Sequence, residues 1–395
     1  MLFLRPILLL SLLSAGSLVW LARNTVATSS AQTLGWFRQE TGIFTKLMGV
    51  HFVDPQNGWV TGTSGTIFGS TNGGKTWEKV GLPVRESKEA LRDLWAFDLR
   101  KQLLLGEYNR DMHPSSDMIF GPNFMLWRGD EMKEDWREIS VAEPRNPQRL
   151  RPRRKAPGTD KRTDDEEDDD EFFRLSSSMV VRMHFADDRH GWLVGESGMI
   201  QRTVVGGVEW QMQYTVSRKL LSDVYAINDK EVWIVGGGGL ILRTTDGGQS
   251  WLEQTSPTTQ NLRAVHFAGA ETGWAVGPNG LILKASASDR RADGTLPIKW
   301  EIIPPPTKES LNDVFFINAN EGWVAGEHAT ILHTTDGGRT WEDALANTVV
   351  KSYVAFNRLF FLSRNLGWAV GSSGTIYKFG DAPVLKPRVI GADSQ

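Results

Sequence analysis

Three short stretches sharing one pattern constrain the fold of this 395-residue chain more than any other feature. Ser70-x-Asn72-x-Gly74-x-x-Trp77 returns as Thr244-x-Asp246-x-Gly248-x-x-Trp251 and again as Thr334-x-Asp336-x-Gly338-x-x-Trp341. An Asp or Asn followed by Gly-Gly between two apolar runs suits a hairpin turn, because the side chain can accept from backbone N–H groups two residues on and the glycines tolerate positive φ. The Trp then opens the next strand. A turn motif repeated in successive units is a fold staple and cannot mark one catalytic centre, so the chain reads as a repeat protein.

Each box ends a unit of four short strands separated by turn residues, the pattern of a propeller blade. Unit one spans 47–80, with Val50-His51-Phe52, then Gly58-Trp59-Val60-Thr61-Gly62, then Gly65-Thr66-Ile67-Phe68, the box and an outer strand. Units four (220–254) and six (311–344) are the best copies. Unit three (180–214) has a decayed box at Thr203 to Trp210, and unit five (262–303) replaces it with a polar loop over 286–297. Unit two (91–139) lacks the box and carries a loop over 108–122. Unit seven reaches Gly374-Thr375-Ile376-Tyr377 and has no outer strand, while Leu34 to Glu40 reads like an outer strand without the first three. The expected fold is all-β, a seven-bladed β-propeller over 32–380 closed by the N-terminal strand pairing in the last blade, with a tail over 381–395. Trp36, Trp77, Trp136, Trp210, Trp251, Trp300 and Trp341 then recur once per blade and are expected to pack between blades.

Composition narrows the function classes. A net charge of -3 leaves no basic excess for nucleic-acid phosphates. The absence of Cys excludes disulfides, thiolate metal sites, cysteine nucleophiles and a lipidated cysteine anchor. Arg5, the apolar run over 7–21, Arg23 and the small residues up to Ala31 resemble a secretory leader over 1–31, cleaved or retained as an anchor, which predicts export. Between units two and three, 141–178 holds a basic, Pro-rich stretch and an uninterrupted acidic octet at 164–171. Neither has apolar periodicity, so this segment is expected to be a disordered charged insertion.

Candidate chemistry concentrates where the inner strands begin. Asp93, Asp223 and Asp313 occupy equivalent places there and could converge around the channel, as a glycosidase pair must; their recurrence with the blade period favours a turn-capping role. Arg92, Arg182, Arg263 and Arg358 fall in or beside the same strand starts, so a mixed Arg and Asp ring suited to a polar or charged peptide is expected near the channel mouth. His51, His184 and His266 share a place with Trp95, Tyr225, Phe315 and Phe360, which favours a packing position for a flat ring over a metal site. Tyr108, Tyr214, Tyr225, Tyr353 and Tyr377 match no sialidase nucleophile context, and no phosphate loop, zinc motif or nucleophile elbow is present. No catalytic residue, cofactor or metal is expected.

The Gly-Trp-x-Val-Gly second strands, Gly-x-Ile third strands and boxes together resemble the photosystem II stability/assembly factor family of plants and cyanobacteria and its bacterial relatives. The box itself resembles the Asp-box of bacterial neuraminidase repeats. The resemblance covers units one and three to seven. It implies a non-enzymatic scaffold binding a protein partner such as a membrane-protein assembly intermediate, in the thylakoid lumen of a photosynthetic host; the N-terminal segment adds the expectation of a periplasmic or extracytoplasmic place with membrane association, and a monomer is expected. The alternative is a glycan-binding or glycan-cleaving, sialidase-like propeller.

Overall fold

The computed structural model describes residues 34–81, 90–98, 101–107, 124–129, 137–139, 180–213, 217–288, 297–346, 348 and 353–381. The expected leader, the 108–122 loop, Tyr108, Trp136, the charged insertion, Tyr214 and the tail beyond 381 lie outside these residues.

The described residues form seven antiparallel sheets of four strands each. The inner strands are Leu47–Phe52, Leu91–Ala96, Val180–Phe185, Leu221–Ala226, Ala264–Phe267, Leu311–Phe316 and Phe356–Ser363. Each packs against the inner strand of the next sheet, and Phe356–Ser363 packs against Leu47–Phe52. In blade seven the fourth strand is Leu34–Gln39, antiparallel to Ile376–Asp381, with Leu34 opposite Asp381 and Gln39 opposite Ile376. Among the described residues no helix is long and apolar enough to cross a membrane.

Stacking of sheets face to face explains why the second strands lack polar alternation. Gly58–Gly62, Gly191–Gly195, Val232–Gly236 and Gly322–Gly326 are buried along their whole length, as strands covered on both faces must be. Their Trp residues make the inter-blade contact. Phe316 of blade six lies flat on Trp274 of blade five at 3.4 Å between centroids, Phe52 of blade one on Trp368 of blade seven at 3.5 Å, and Phe361 of blade seven on Trp323 of blade six at 4.2 Å. Each such pair contributes about 1 kcal/mol beyond the area it buries.

The boxes are turns, with one difference from the expected geometry. Ser70, Thr244 and Thr334 hydroxyls accept from the N–H groups of Gly74, Gly248 and Gly338 at 2.8, 2.8 and 2.9 Å. The Asn72, Asp246 and Asp336 side chains accept from Thr76, Ser250 and Thr340 N–H, four residues ahead rather than two. The longer reach lets one oxygen bridge the whole turn. Each box also docks on the turn between its blade's first two strands, as Gly247 N–H does on the Lys230 carbonyl at 2.9 Å. The inter-blade connections dock on the other face, where Gly198 N–H meets the Lys219 carbonyl at 2.9 Å. Inner strands therefore run from the connection face toward the box face.

Candidate functional site

Six of the seven inner strands begin with a β-bulge, where the register slips between the first and third residues. The second residue is the extra one, and the bulge re-aims the strand start. The third residues of these strands, with Ala264 at the equivalent place in blade five, are in blade order Gly49, Asp93, Arg182, Asp223, Ala264, Asp313 and Arg358. Two residues further toward the box face stand His51, Trp95, His184, Tyr225, His266, Phe315 and Phe360. The channel thus carries a charged layer and, beneath it, an aromatic layer.

The charged layer ties blades together. Asp93 Oδ2 accepts from Met183 N–H at 3.2 Å, Asp223 Oδ2 from Val265 N–H at 2.9 Å, and Asp313 Oδ2 from Leu359 N–H at 2.7 Å. Each bond crosses from one blade to the next: two to three, four to five, six to seven. The expected turn-capping role is therefore corrected, because these carboxylates cap the neighbouring inner strand and no turn. Histidines serve the intervening pairs. His184 Nδ1 accepts from Ala226 N–H at 3.2 Å, His266 Nδ1 from Phe316 N–H at 3.4 Å, and His51 hydrogen-bonds the backbone of Ala96. At the last joint, from blade seven to blade one, the Asn357 amide donates to the Leu47 carbonyl at 2.7 Å.

Two of the four candidate arginines enter the channel. Arg358 Nη1 lies 3.5 Å from Asp313 Oδ1 and 3.8 Å from Asp223 Oδ1, and Arg182 Nε lies 3.9 Å from Asp223 Oδ1. Burial opposes the Arg358 charge, yet Asp313, Asp93 and Asp223 together hold its pKa above the ordinary value. Burial, with Arg358 close by, lowers that of Arg182. Burial pushes the Asp223 carboxyl up to about 6 against the pull of Arg358 and Arg182, and raises Asp313 as well. For Asp223 and Asp313 the cost of burial outweighs the pull of the two guanidiniums, whereas for Arg358 the surrounding carboxylates outweigh burial.

Arg92 and Arg263 do not belong to this layer. Arg92 is the second residue of Leu91–Ala96 and Arg263 immediately precedes Ala264–Phe267, each one position before the residue of its blade that faces the layer. Arg92 sits on the bulge, whereas Arg263, in the blade without that bulge, donates to Asn312 Oδ1 at 2.6 Å and lies 3.3 Å from Glu327 Oε1. Its side chain is 37% exposed, against 13% for Arg182 and 17% for Arg358. Arg263 is the most exposed of these three guanidiniums, and the deeper pair holds the carboxylates.

The aromatic layer is nearly continuous. Ring centroids are 4.8 Å apart for His51 and Trp95, 4.9 Å for Trp95 and His184, 4.6 Å for His184 and Tyr225, 4.6 Å for Tyr225 and His266, and 4.4 Å for His266 and Phe315. Phe360 meets His51 at 4.8 Å across the last joint. Burial lowers the pKa of His51 to about 4 and, helped by neighbouring positive charge, those of His184 and His266 to about 3. The histidines are neutral rings in this layer, each accepting or sharing one backbone bond. Among the described residues no group of His, Asp and Glu has the arrangement of a metal site.

A family model described as photosynthesis system II assembly factor YCF48 matches residues 28–113, 213–286 and 293–382, well over half of the chain. The chain belongs to this family. A search of the curated proteins found no match. Among solved structures the chain is similar to "YCF48 bound to D1 peptide", with 18% identity over 88% of this chain and 97% of that one and a TM-score of 0.62. It is similar to YCF48 from Cyanidioschyzon merolae, with 16% identity, coverage of 88% and 98%, and a TM-score of 0.62. The WD40 propeller domain of Doa1 superposes at 0.57 with 9% identity over 89% of this chain and 98% of that one, a likeness of fold alone. This is a YCF48-like β-propeller.

Proposed function

We propose that this YCF48-like propeller is an exported, non-enzymatic factor that binds a polar or charged peptide segment of a membrane-protein assembly intermediate at the channel mouth on the connection face. Family membership carries the reading, because one solved relative is described as holding a D1 peptide. The half-exposed Arg263 guanidinium at the mouth supports it, since a planar fork of donors suits carboxylates and backbone carbonyls. The three channel carboxylates are committed to the amides of the next blade, which leaves them poorly placed for proton transfer. Pairing of Leu34–Gln39 into blade seven acts as the latch that keeps the ring closed and the chain monomeric. Export rests on the apolar run over 7–21.

The test is a crosslinking pull-down from native membranes with wild type and an Arg92→Ala, Arg263→Ala double variant, which leaves Arg182 and Arg358 in place. Wild type is expected to recover one defined membrane-protein intermediate, and the folded variant about tenfold less, the loss typical of removing a charged anchor. Equal recovery by both, or enrichment of polysaccharide and no protein, would overturn the reading.

A further inference from the structure

Blade three keeps the turn of the box but not its polar side chains. Thr203 Oγ1 accepts from Val205 N–H at 3.2 Å and from Gly207 N–H at 2.9 Å, Gly206 N–H donates to the Arg189 carbonyl at 2.8 Å, and Trp210 Nε1 donates to Gly207 O at 3.0 Å. The backbone is that of the complete boxes. At the two positions before the glycines and the one after them, blades one, four and six carry Thr, then Asn or Asp, then Lys, Gln or Arg. Blade three carries Val204, Val205 and Val208 there, 37%, 40% and 46% exposed. Among the described residues the other large exposed apolar side chains, Leu34, Phe44, Leu220, Leu252, Ile302 and Tyr353, stand singly. Single exposed apolar residues are ordinary, but three on one turn point to something that covers them, since turn chemistry favours Gly, Pro, Asn, Asp and Ser and gains nothing from β-branched side chains.

The chain enters the ring on the face where this turn stands. Leu34 lies opposite Asp381, which ends the third strand of blade seven as Thr244 and Thr334 end theirs at the boxes of blades four and six. Residues 1–33, with the apolar run over 7–21, therefore join the ring at its box face. Two blades separate blade seven from blade three on one side and three on the other, so the join and the Val turn stand on opposite sides of that face.

The charges beside the Val turn nearly cancel. Lys101, which donates to the Asp188 carbonyl at 3.2 Å, and Arg189 stand against the Asp188 and Glu209 carboxylates, and Asp187 is held by His190 at 2.8 Å. An apolar tip with so little net charge suits uncharged lipid headgroups and needs no anionic lipid.

We infer that the box face lies against a lipid bilayer, with Val204, Val205 and Val208 entering the headgroup boundary as a second point of attachment across the ring from the N-terminal segment. One apolar segment tethers a protein without orienting it, whereas a second contact on the far side of the same face does both. The channel mouth, on the connection face, then points away from the lipid, and the peptide it takes belongs to a part of the partner that stands clear of the bilayer. The inference does not rest on that partner, and its test uses lipid alone.

The chain has no Cys, so one introduced thiol can carry a reporter. Full-length Glu209→Cys and Arg339→Cys proteins, each bearing an environment-sensitive fluorophore, would be reconstituted into phosphatidylcholine vesicles containing a nitroxide-labelled lipid. Position 209 flanks the Val turn, and position 339 lies in the box of blade six, next to the blade where residues 1–33 join. Quenching at 209 is expected to be at least about threefold that at 339, as for an apolar tip that enters the boundary beside a polar one that does not. The excess should vanish in folded Glu209→Cys protein that also carries Val204→Thr, Val205→Asp and Val208→Lys, because charged side chains oppose entry. Equal quenching at the two positions, or quenching at 209 that survives the triple substitution, would overturn the inference. So would a fluorophore that stays in water on vesicles yet shifts in native membranes, which would make the occupant a protein.

Discussion

Acid should unfold this propeller through its aromatic layer, by an amount that can be worked from three side chains. His51, His184 and His266 titrate at about 4, 3 and 3 in the folded chain, well below their ordinary value, so the unfolded chain binds the protons that the folded chain refuses. Stability is then lost as pH falls below about 6.5, the unfolded histidine value. Between pH 7 and pH 5 each histidine removes about 2 kcal/mol by linkage, roughly 6 in all. Asp223 acts the other way. Its folded value of about 6 lies above the unfolded one, so protonation on the way to pH 5 restores about 1 kcal/mol, and the raised Asp313 adds in the same direction. The net loss is about 4 kcal/mol, a large share of a typical domain's stability. Urea unfolding followed by Trp fluorescence at the two pH values measures it. His184→Phe places at this position a ring that blades six and seven already carry as Phe315 and Phe360. It should cost about 1–2 kcal/mol at pH 7 through the lost Ala226 bond and reduce the pH-dependent loss by about 2 kcal/mol. A loss below about 1 kcal/mol in wild type, or an undiminished loss in His184→Phe, would refute the reasoning.

Three further outcomes follow from the geometry. Ala329 sits at φ 59 in the turn between the second and third strands of blade six, where five other blades have glycine; Ala329→Gly should stabilise the protein by about 0.5–1 kcal/mol in chemical denaturation, relief of left-handed strain outweighing the entropy of glycine. Asp313→Ala strips Arg358 of its nearest carboxylate and Leu359 N–H of its acceptor, and should lower stability by about 3–5 kcal/mol in the same assay. Trp36→Ala removes the buried anchor of the N-terminal strand from blade seven, and should cost about 3–5 kcal/mol while raising proteolytic cleavage near residue 34.

The blade repeat was legible because it is written in local chemistry. Gly-Gly turns, Gly-Trp second strands and the orphan Trp36 each announce a position within a four-stranded unit, and the pairing of Leu34–Gln39 with Ile376–Asp381 lies where that orphan points. The channel was legible as a set of residue types but not as a register. Arg92 and Arg182 both lie near a strand start, and only the bulge, which shifts the pairing by one residue, separates the mouth from the buried layer. The alternation of Asp ties with His ties around the ring was open to view once seven inner strands were aligned, yet a carboxylate's acceptor role in the next blade is a tertiary fact that no local pattern encodes. The stacking of Trp274 on Phe316 is of the same kind.

Photo-crosslinking in native membranes tests the central claim most directly. A photoreactive residue is placed at Lys219, exposed on the connection face, or at Lys230, exposed on the box face. Binding of a partner at the channel mouth predicts one defined membrane-protein adduct from position 219 and none from position 230. Adducts from 230 alone, or no protein adduct from either position, would contradict it.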